Sequence, residues 1–168
     1  GSKEVIKLDI GCGNQCPYGW VGIDRISPAD IICDIERDGL PFKDNSVSMI
    51  RSIYFFEHIN NPLEVMGEIY RVCIPGSLVQ IQVPYFGCES AFRDPTHKKY
   101  YSQRSWEYFD SRQKQVPHYT YQGKFDLVQL IETLTPEGQK LSGQELEFAK
   151  RHYNNIIYNI TFVLRTIK

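Results

Sequence analysis

The 168-residue sequence has no apolar run near the roughly 18 residues that cross a bilayer, which argues against a membrane-spanning helix. Nothing with the character of a signal peptide precedes its first strand-like segment. It also lacks an excess of either charge. Nineteen Lys and Arg against twenty Asp and Glu leave a net charge of −1, so no global field draws it to nucleic acid or to an anionic membrane. A disulfide framework is missing too: five cysteines, an odd number at irregular spacing, fit a reducing, cytoplasmic setting. No repeat and no low-complexity linker divides the chain, whose length is near the mode for one domain. Gly1 and Ser2 read as a tag scar, so a single domain is expected over 3–168. What the chain has in excess is aromatic side chains, 13% of residues with eleven tyrosines, crowded between positions 85 and 121.

Short apolar runs follow in close order. Glu4 to Ile10 reads as a buried strand that ends in the turn Gly11-Cys12-Gly13. Trp20 to Asp24 and Asp30 to Asp34 read as two further strands, each closing on an aspartate, and Val47 to Tyr54 as a fourth. A helix is expected next, with Asn60 and Asn61 at its cap, Pro62 in its first turn and Pro75-Gly76 stopping it. Leu63, Met66, Ile69, Tyr70 and Cys73 share its apolar face. Leu78 to Val83 alternates as a fifth strand. From Tyr85 to about Lys124 periodicity fails, which predicts an elaborated loop with a short helical stretch around Arg104 to Phe109. Phe125 to Leu134 is again apolar, Ser142 to Glu145 matches a capping box, and Asn155 to Ile167 reads as a last strand. The march of strands with acids at their ends predicts an α/β fold with an open, mostly parallel sheet. Ligands then sit outside the carboxyl ends of the strands, where Gly11, Gly13, Asp24, Asp34, Tyr54 and Pro84 all fall.

Glycines at a strand end allow close backbone approach and positive φ. Carboxylates at the neighbouring strand ends can accept hydrogen bonds from ribose hydroxyls and an adenine amine. A dinucleotide fingerprint is a poor match. The position of its third glycine is Cys16, and Asp24 lies only eleven residues after Gly13 rather than beyond a full crossover helix.

The segment D-I-G-C-G-N at Asp9 to Asn14 resembles the first motif of class I S-adenosylmethionine-dependent methyltransferases, and further pieces follow in that family's order. They are Gly22-Ile23-Asp24, Cys33 to Glu36, Leu40 to Ile50, Phe56 to Ile59, and Arg71 to Leu78 in place of the usual Lys-Pro-Gly-Gly turn. The resemblance covers about residues 5 to 85 and implies a Rossmann-like seven-stranded sheet flanked by helices. It implies S-adenosylmethionine as cofactor and S-adenosylhomocysteine as product. Gly11 and Gly13 then approach the methionine part by backbone and Asp9 helps hold its amino group. Asp24, with Arg25 beside it, takes the ribose hydroxyls, and Asp34 the adenine amine. Ile35 packs on the adenine ring, and Tyr54 and Phe55 line the sulfonium side. Glu57 and His58 match a Glu-His pair whose role varies in the family. One departure stands out: nine residues separate Ile10 from Trp20, so the first crossover helix is expected to be reduced or absent. With its glycine turn followed by Pro17 to Trp20 and by Asp94 to His97, the chain resembles a small branch of such enzymes.

The second half holds the candidates for acceptor chemistry. His97 suits a catalytic base, with Asp94 orienting it; the alternative is a turn capped by Asp94 and Thr96 that His97 merely supports. Arg93, Lys98, Lys99 and Arg104 either receive an anionic group of the substrate or form a solvated face. Tyr85, Phe86, Tyr101 and Trp106 are expected at the substrate, among aromatic residues that otherwise serve as core beneath the loop. His118 is a weaker candidate, and His152 is expected at an exposed helix end. No metal site is expected, because Cys12 and Cys16 have no second pair to complete a tetrahedral set. Cys88 reads as an unpaired loop thiol.

The resulting expectation is methyl transfer to an oxygen or nitrogen of a small-molecule or sugar-like acceptor, with nucleic acid and membrane disfavoured and the oligomeric state open. The alternatives are a cofactor-binding, non-catalytic regulatory module of the same fold and, more remotely, a nicotinamide-dependent oxidoreductase.

Overall fold

The computed structural model describes residues 5–112 and 123–168; His118 and the first two residues lie outside them. Seven strands, β1 (Ile6–Ile10), β2 (Val21–Asp24), β3 (Ile31–Ile32), β4 (Val47–Ile53), β5 (Cys73–Pro84), β6 (Phe125–Leu134) and β7 (Ile157–Thr166), form one sheet. Their order is β3-β2-β1-β4-β5-β7-β6. The first five pair in parallel, and β7 runs antiparallel between β5 and β6. The chain winds outward from β1 in both directions, which opens a crevice between the carboxyl ends of β1 and β4. Helices are short: α1 (Ile35–Asp38), α2 (Pro62–Val72), α3 (Ser90–Arg93), α4 (Pro136–Gln139) and α5 (Gly143–His152).

One core face runs through Leu8, Ile10, Ile50, Val79 and Ile81, and α2 lays Val65, Met66, Ile69 and Val72 onto it. The cap of α2 forms as expected, the Asn61 side chain accepting from the backbone N–H of Glu64. Its end differs. Cys73 donates to the Ile69 carbonyl, turns extended and pairs with Val47, so β5 begins before Pro75-Gly76, and a shift of register absorbs the extra residues. The capping box at α5 does not form either: Ser142 makes no side-chain hydrogen bond to the helix.

Between β1 and β2 there is no helix, as the spacing predicts. The turn packs directly on the sheet instead. A Cβ at Gly22 would stand 2.7 Å from the Cys12 sulfur and 3.1 Å from that of Cys16. Trp20 covers part of the vacated face, with Lys7 Nζ and the Arg51 guanidinium each 6.0 Å from its ring.

The stretch after β5 is fastened to the sheet edge by its own backbone. Tyr85 bridges Tyr101, Phe86 donates to the Tyr101 carbonyl, and Asp110 bridges Phe125. The amides of Lys98 and Lys99 both donate to the carbonyl of Glu57, at 2.6 and 3.2 Å. A single 3-10 turn occupies Ser105–Phe109, within the predicted helical stretch.

Candidate active site

Two neighbouring cavities lie at the carboxyl edge of the sheet. The first is walled by Gly11, Ile23, Asp24, Asp34, Ile35 and Phe55, with Arg25, Tyr54, His58 and Ile59 at its margins. Asp24 ends β2 and shapes the glycine turn: its Oδ2 accepts from Gly13 N–H at 2.9 Å and its Oδ1 from Arg25 N–H at 2.6 Å. A carboxylate has about four lone-pair positions, so acceptor capacity remains for a diol. Asp34 caps α1, its side chain accepting from Arg37 N–H, while Ile35 behind it is buried. Glu36 ties this end to the start of α2, its Oε1 accepting from the amides of Asn60 and Asn61 at 2.7 and 2.8 Å. Phe55 presses on the glycine turn so closely that a Cβ at Gly11 would lie 2.7 Å from its ring.

Two of the expected cofactor residues stand outside this wall. Gly13 faces Asp24 rather than the cavity. Asp9 is buried one layer behind, 3.7 Å from Arg51 Nε. Burial pushes the Asp9 carboxyl up, and the Arg51 charge only partly offsets it.

The second cavity is lined by Tyr54, Glu57, His58, Pro84, Asp94 and His97, with Ser90, Arg93 and Tyr158. Tyr54 and His58 belong to both walls. Tyr54 adopts a φ of 55°, a conformation rare for a bulky residue, and accepts from Asn159 Nδ2 at 2.8 Å. The two histidine rings meet edge to face, 4.9 Å apart. His97 Nδ1 lies 2.7 Å from the Ala91 carbonyl, which can only accept, so Nδ1 carries the proton and Nε2 the lone pair. Asp94 Oδ2 is 3.6 Å from that Nε2. The expected orienting role of Asp94 thus falls to Ala91, while Asp94 Oδ1 accepts from the amide and hydroxyl of Thr96. Burial holds the His58 imidazole below its ordinary value, with His97 adding to the effect. Glu57 is 1% exposed, and among the described residues neither of its oxygens has a hydrogen-bond partner. Desolvation pushes its carboxyl up to about 7. Glu57, His58 and His97 offer ligand atoms within 4.8 Å of one another, a grouping that a search for cysteine pairs misses.

The aromatic residues expected at the substrate stand elsewhere. Tyr85, Phe86, Tyr101 and Trp106 line neither cavity. Tyr85 is buried core, Tyr101 donates its hydroxyl to the Phe56 carbonyl, Trp106 packs on the core, and Phe86 meets Tyr85 edge to face. Their sequence crowding reflects a loop that must bring its own apolar surface to be held down. Of the basic residues only Arg93 reaches the cavity, and Arg104 is engaged by Glu107. Cys88 is buried, and His152 stacks on Phe148 at an exposed helix end.

Residues 21–81 match the family model described as Methyltransferase domain. A methyltransferase structure from Archaeoglobus fulgidus, described as SAM-dependent, superposes with a TM-score of 0.70 at 17% identity, over 97% of this chain and 87% of that one. Phosphoethanolamine N-methyltransferase 2 from Haemonchus contortus gives 0.57 at 16% identity, over 100% and 50%. Geranyl diphosphate C-methyltransferase from Streptomyces coelicolor gives 0.61 at 10%, over 98% and 70%. No curated protein sequence matches the chain significantly. The first cavity could hold an adenosine, with the Asp24 and Asp34 carboxylates, apolar walls at Ile23, Ile35 and Phe55, and a turn without side chain at Gly11. The family match thus covers residues 21–81, and the fold of the chain is that of the S-adenosylmethionine-dependent methyltransferase structures it superposes on.

Proposed function

We propose that this chain methylates an oxygen or nitrogen of a small, polar acceptor seated in the second cavity. The observation that supports it is the shared wall: Tyr54 and His58 line both cavities, so the cofactor site opens directly onto a pocket carrying Glu57, Asp94 and His97. S-adenosylmethionine, when bound, supplies the activated methyl group. The protein's part is alignment and proton handling. Asp24 accepts from the ribose hydroxyls and Asp34 from the adenine amine, with Ile35 and Phe55 against the ring. Tyr54, held at positive φ and tied to Asn159, sets the wall past which the acceptor must approach.

On the acceptor side, the His97 Nε2 lone pair faces the cavity and receives the acceptor's proton, and Asp94 stabilises the resulting charge from 3.6 Å. Arg93 at the rim suits an acidic substituent, such as a carboxylate or phosphate, on the acceptor. The balanced net charge and the small cavity favour a metabolite over a nucleic acid. The five free thiols favour a reducing, cytoplasmic compartment. Among the described residues no helix is long and apolar enough to cross a membrane.

The test is a screen of hydroxylated and amino metabolites, with S-adenosylhomocysteine formation as readout. His97→Ala is expected to keep S-adenosylhomocysteine affinity while lowering turnover by about 10²–10⁴-fold. Equal loss of both would give His97 a structural role. Tight S-adenosylhomocysteine binding with no turnover across the screen would favour the regulatory-module alternative, which the missing first helix motivates.

A further inference from the structure

Glu57 presents a local problem. Its carboxylate is almost wholly removed from water, yet among the described residues neither oxygen has a hydrogen-bond partner. A buried carboxylate without a partner is strongly disfavoured, and such groups in native folds are normally paired or coordinate a metal. Two imidazoles stand close to it, and both are fixed by a hydrogen bond at Nδ1. His97 spends Nδ1–H on the Ala91 carbonyl at 2.7 Å. The Thr96 hydroxyl donates to Asp94 Oδ1 at 2.7 Å, so at 3.1 Å from His58 Nδ1 it can only accept. Each histidine therefore keeps an unprotonated Nε2, that of His58 3.5 Å from Glu57 Oε1 and that of His97 3.6 Å from Asp94 Oδ2. An outer hydrogen bond at Nδ1 that fixes the tautomer and frees Nε2 is the arrangement found around metal-ligating histidines.

We propose that Glu57, His58 and His97 form a binding site for one divalent first-row transition-metal ion, of the zinc or manganese kind, in the acceptor cavity. The three ligand atoms lie within 4.8 Å of one another. An ion about 2.0–2.2 Å from each ligand spaces them by roughly 3–4 Å, so small side-chain rotations close the set. Two imidazoles and one carboxylate form a ligand set known both for zinc sites with an open position and for facial sites of other divalent ions. The remaining positions face the cavity, where Asp94 is the nearest further carboxylate and where an acceptor oxygen has room. As an acceptor-side device the ion rests on the methyl-transfer reading above. Its role there is to hold and polarise a bound carboxylate or hydroxyl; the His97 Nε2 lone pair serves either as ligand or as base, so in the ion-loaded chain it no longer takes the acceptor's proton. The binding itself does not depend on that reading.

The experiment is a calorimetric titration of the chelator-stripped full chain, without cofactor or acceptor, by Zn(II), Mn(II) and Co(II) separately. The visible spectrum of the Co(II) sample is recorded alongside. One ion per chain is expected for at least one of the three. His97→Ala and Glu57→Gln should each weaken binding tenfold or more, and His152→Ala, on the remote end of α5, should not. Absence of saturable binding, or wild-type affinity in both site variants, overturns the site. Glu57→Gln keeps the test open if His97→Ala fails to fold, since it removes charge at constant size. A parallel S-adenosylhomocysteine titration and the acceptor screen separate the two readings. Cofactor binding and turnover without ion binding refute the metal site alone, whereas ion binding without turnover refutes the methyl-transfer reading alone.

Discussion

At Gly11 two independent constraints meet. Its φ of 69° is strained for any L side chain, and a Cβ would fall 2.7 Å from the Phe55 ring. Gly11→Ala is expected to lower stability by about 1–3 kcal/mol and to weaken S-adenosylhomocysteine binding at least tenfold, read by thermal melting and calorimetry. A next-door residue works through charge rather than shape. Asp24 holds the turn by accepting from Gly13, and on the function proposed above its remaining lone pairs take the ribose. Asp24→Ala should therefore weaken cofactor affinity by about 1–3 kcal/mol, the scale of a lost charge-assisted hydrogen bond. Unchanged affinity in calorimetry would show that the ribose is held elsewhere.

Among the elements, the helix-free crossover from β1 to β2 is the main departure. With no helix to cover them, Lys7, Asp9 and Arg51 share a sheet face roofed by the Trp20 ring. Successive residues along a strand point to opposite faces, so this polar face lies opposite the one that buries Leu8 and Ile10. Trp20→Ala removes apolar cover and two cation–π contacts, and is expected to cost about 2–3 kcal/mol in chemical denaturation. Cofactor affinity should change less, because Trp20 lines neither cavity. Elsewhere, α1 is only four residues long, and the Glu36 bonds to Asn60 and Asn61 keep it against α2.

For the molecule as a whole, acid stability depends on how the segment after β5 is anchored. Asp110 ends the 3-10 turn and joins the start of β6, its side chain almost fully buried. Burial raises its carboxyl, but hydrogen bonds and charge from Arg112 outweigh that and hold it below the ordinary value. A depressed folded pKa contributes stability above the unfolded value of about 3.9, and this is lost as pH falls through the folded pKa. Asp110→Asn should therefore lower stability at neutral pH and flatten the acid limb of the melting-temperature profile below about pH 4. An acid limb as steep as that of the unaltered chain would show that this pair does not anchor the segment.

The residues alone determined much of the cofactor half. Strand periodicity, glycines just after β1, an acid at the end of β2 and a crossover too short for a helix are local patterns, each set by backbone geometry within a few positions, whereas the strand expected to close on Asp34 ends at Ile32 and Asp34 caps α1 instead. Tyr54 and Phe55 were legible for the same reason, as the exit of a buried strand. Start and stop signals were weaker where tertiary pairing competed: β5 captured Cys73 to Gly76 from the helix boundary, and Ser142 left its cap unmade. The acceptor half was decided by the tertiary structure. Forty residues separate Glu57 from His97, and they meet because the amides of Lys98 and Lys99 close on the Glu57 carbonyl. Aromatic crowding suggested a substrate wall at Tyr85, Phe86, Tyr101 and Trp106, but apolar area in a long loop is first used to hold that loop on the sheet. Sequence periodicity reports which face of an element is buried; which two distant polar groups share one buried pocket depends on packing between elements, and only the folded chain specifies it.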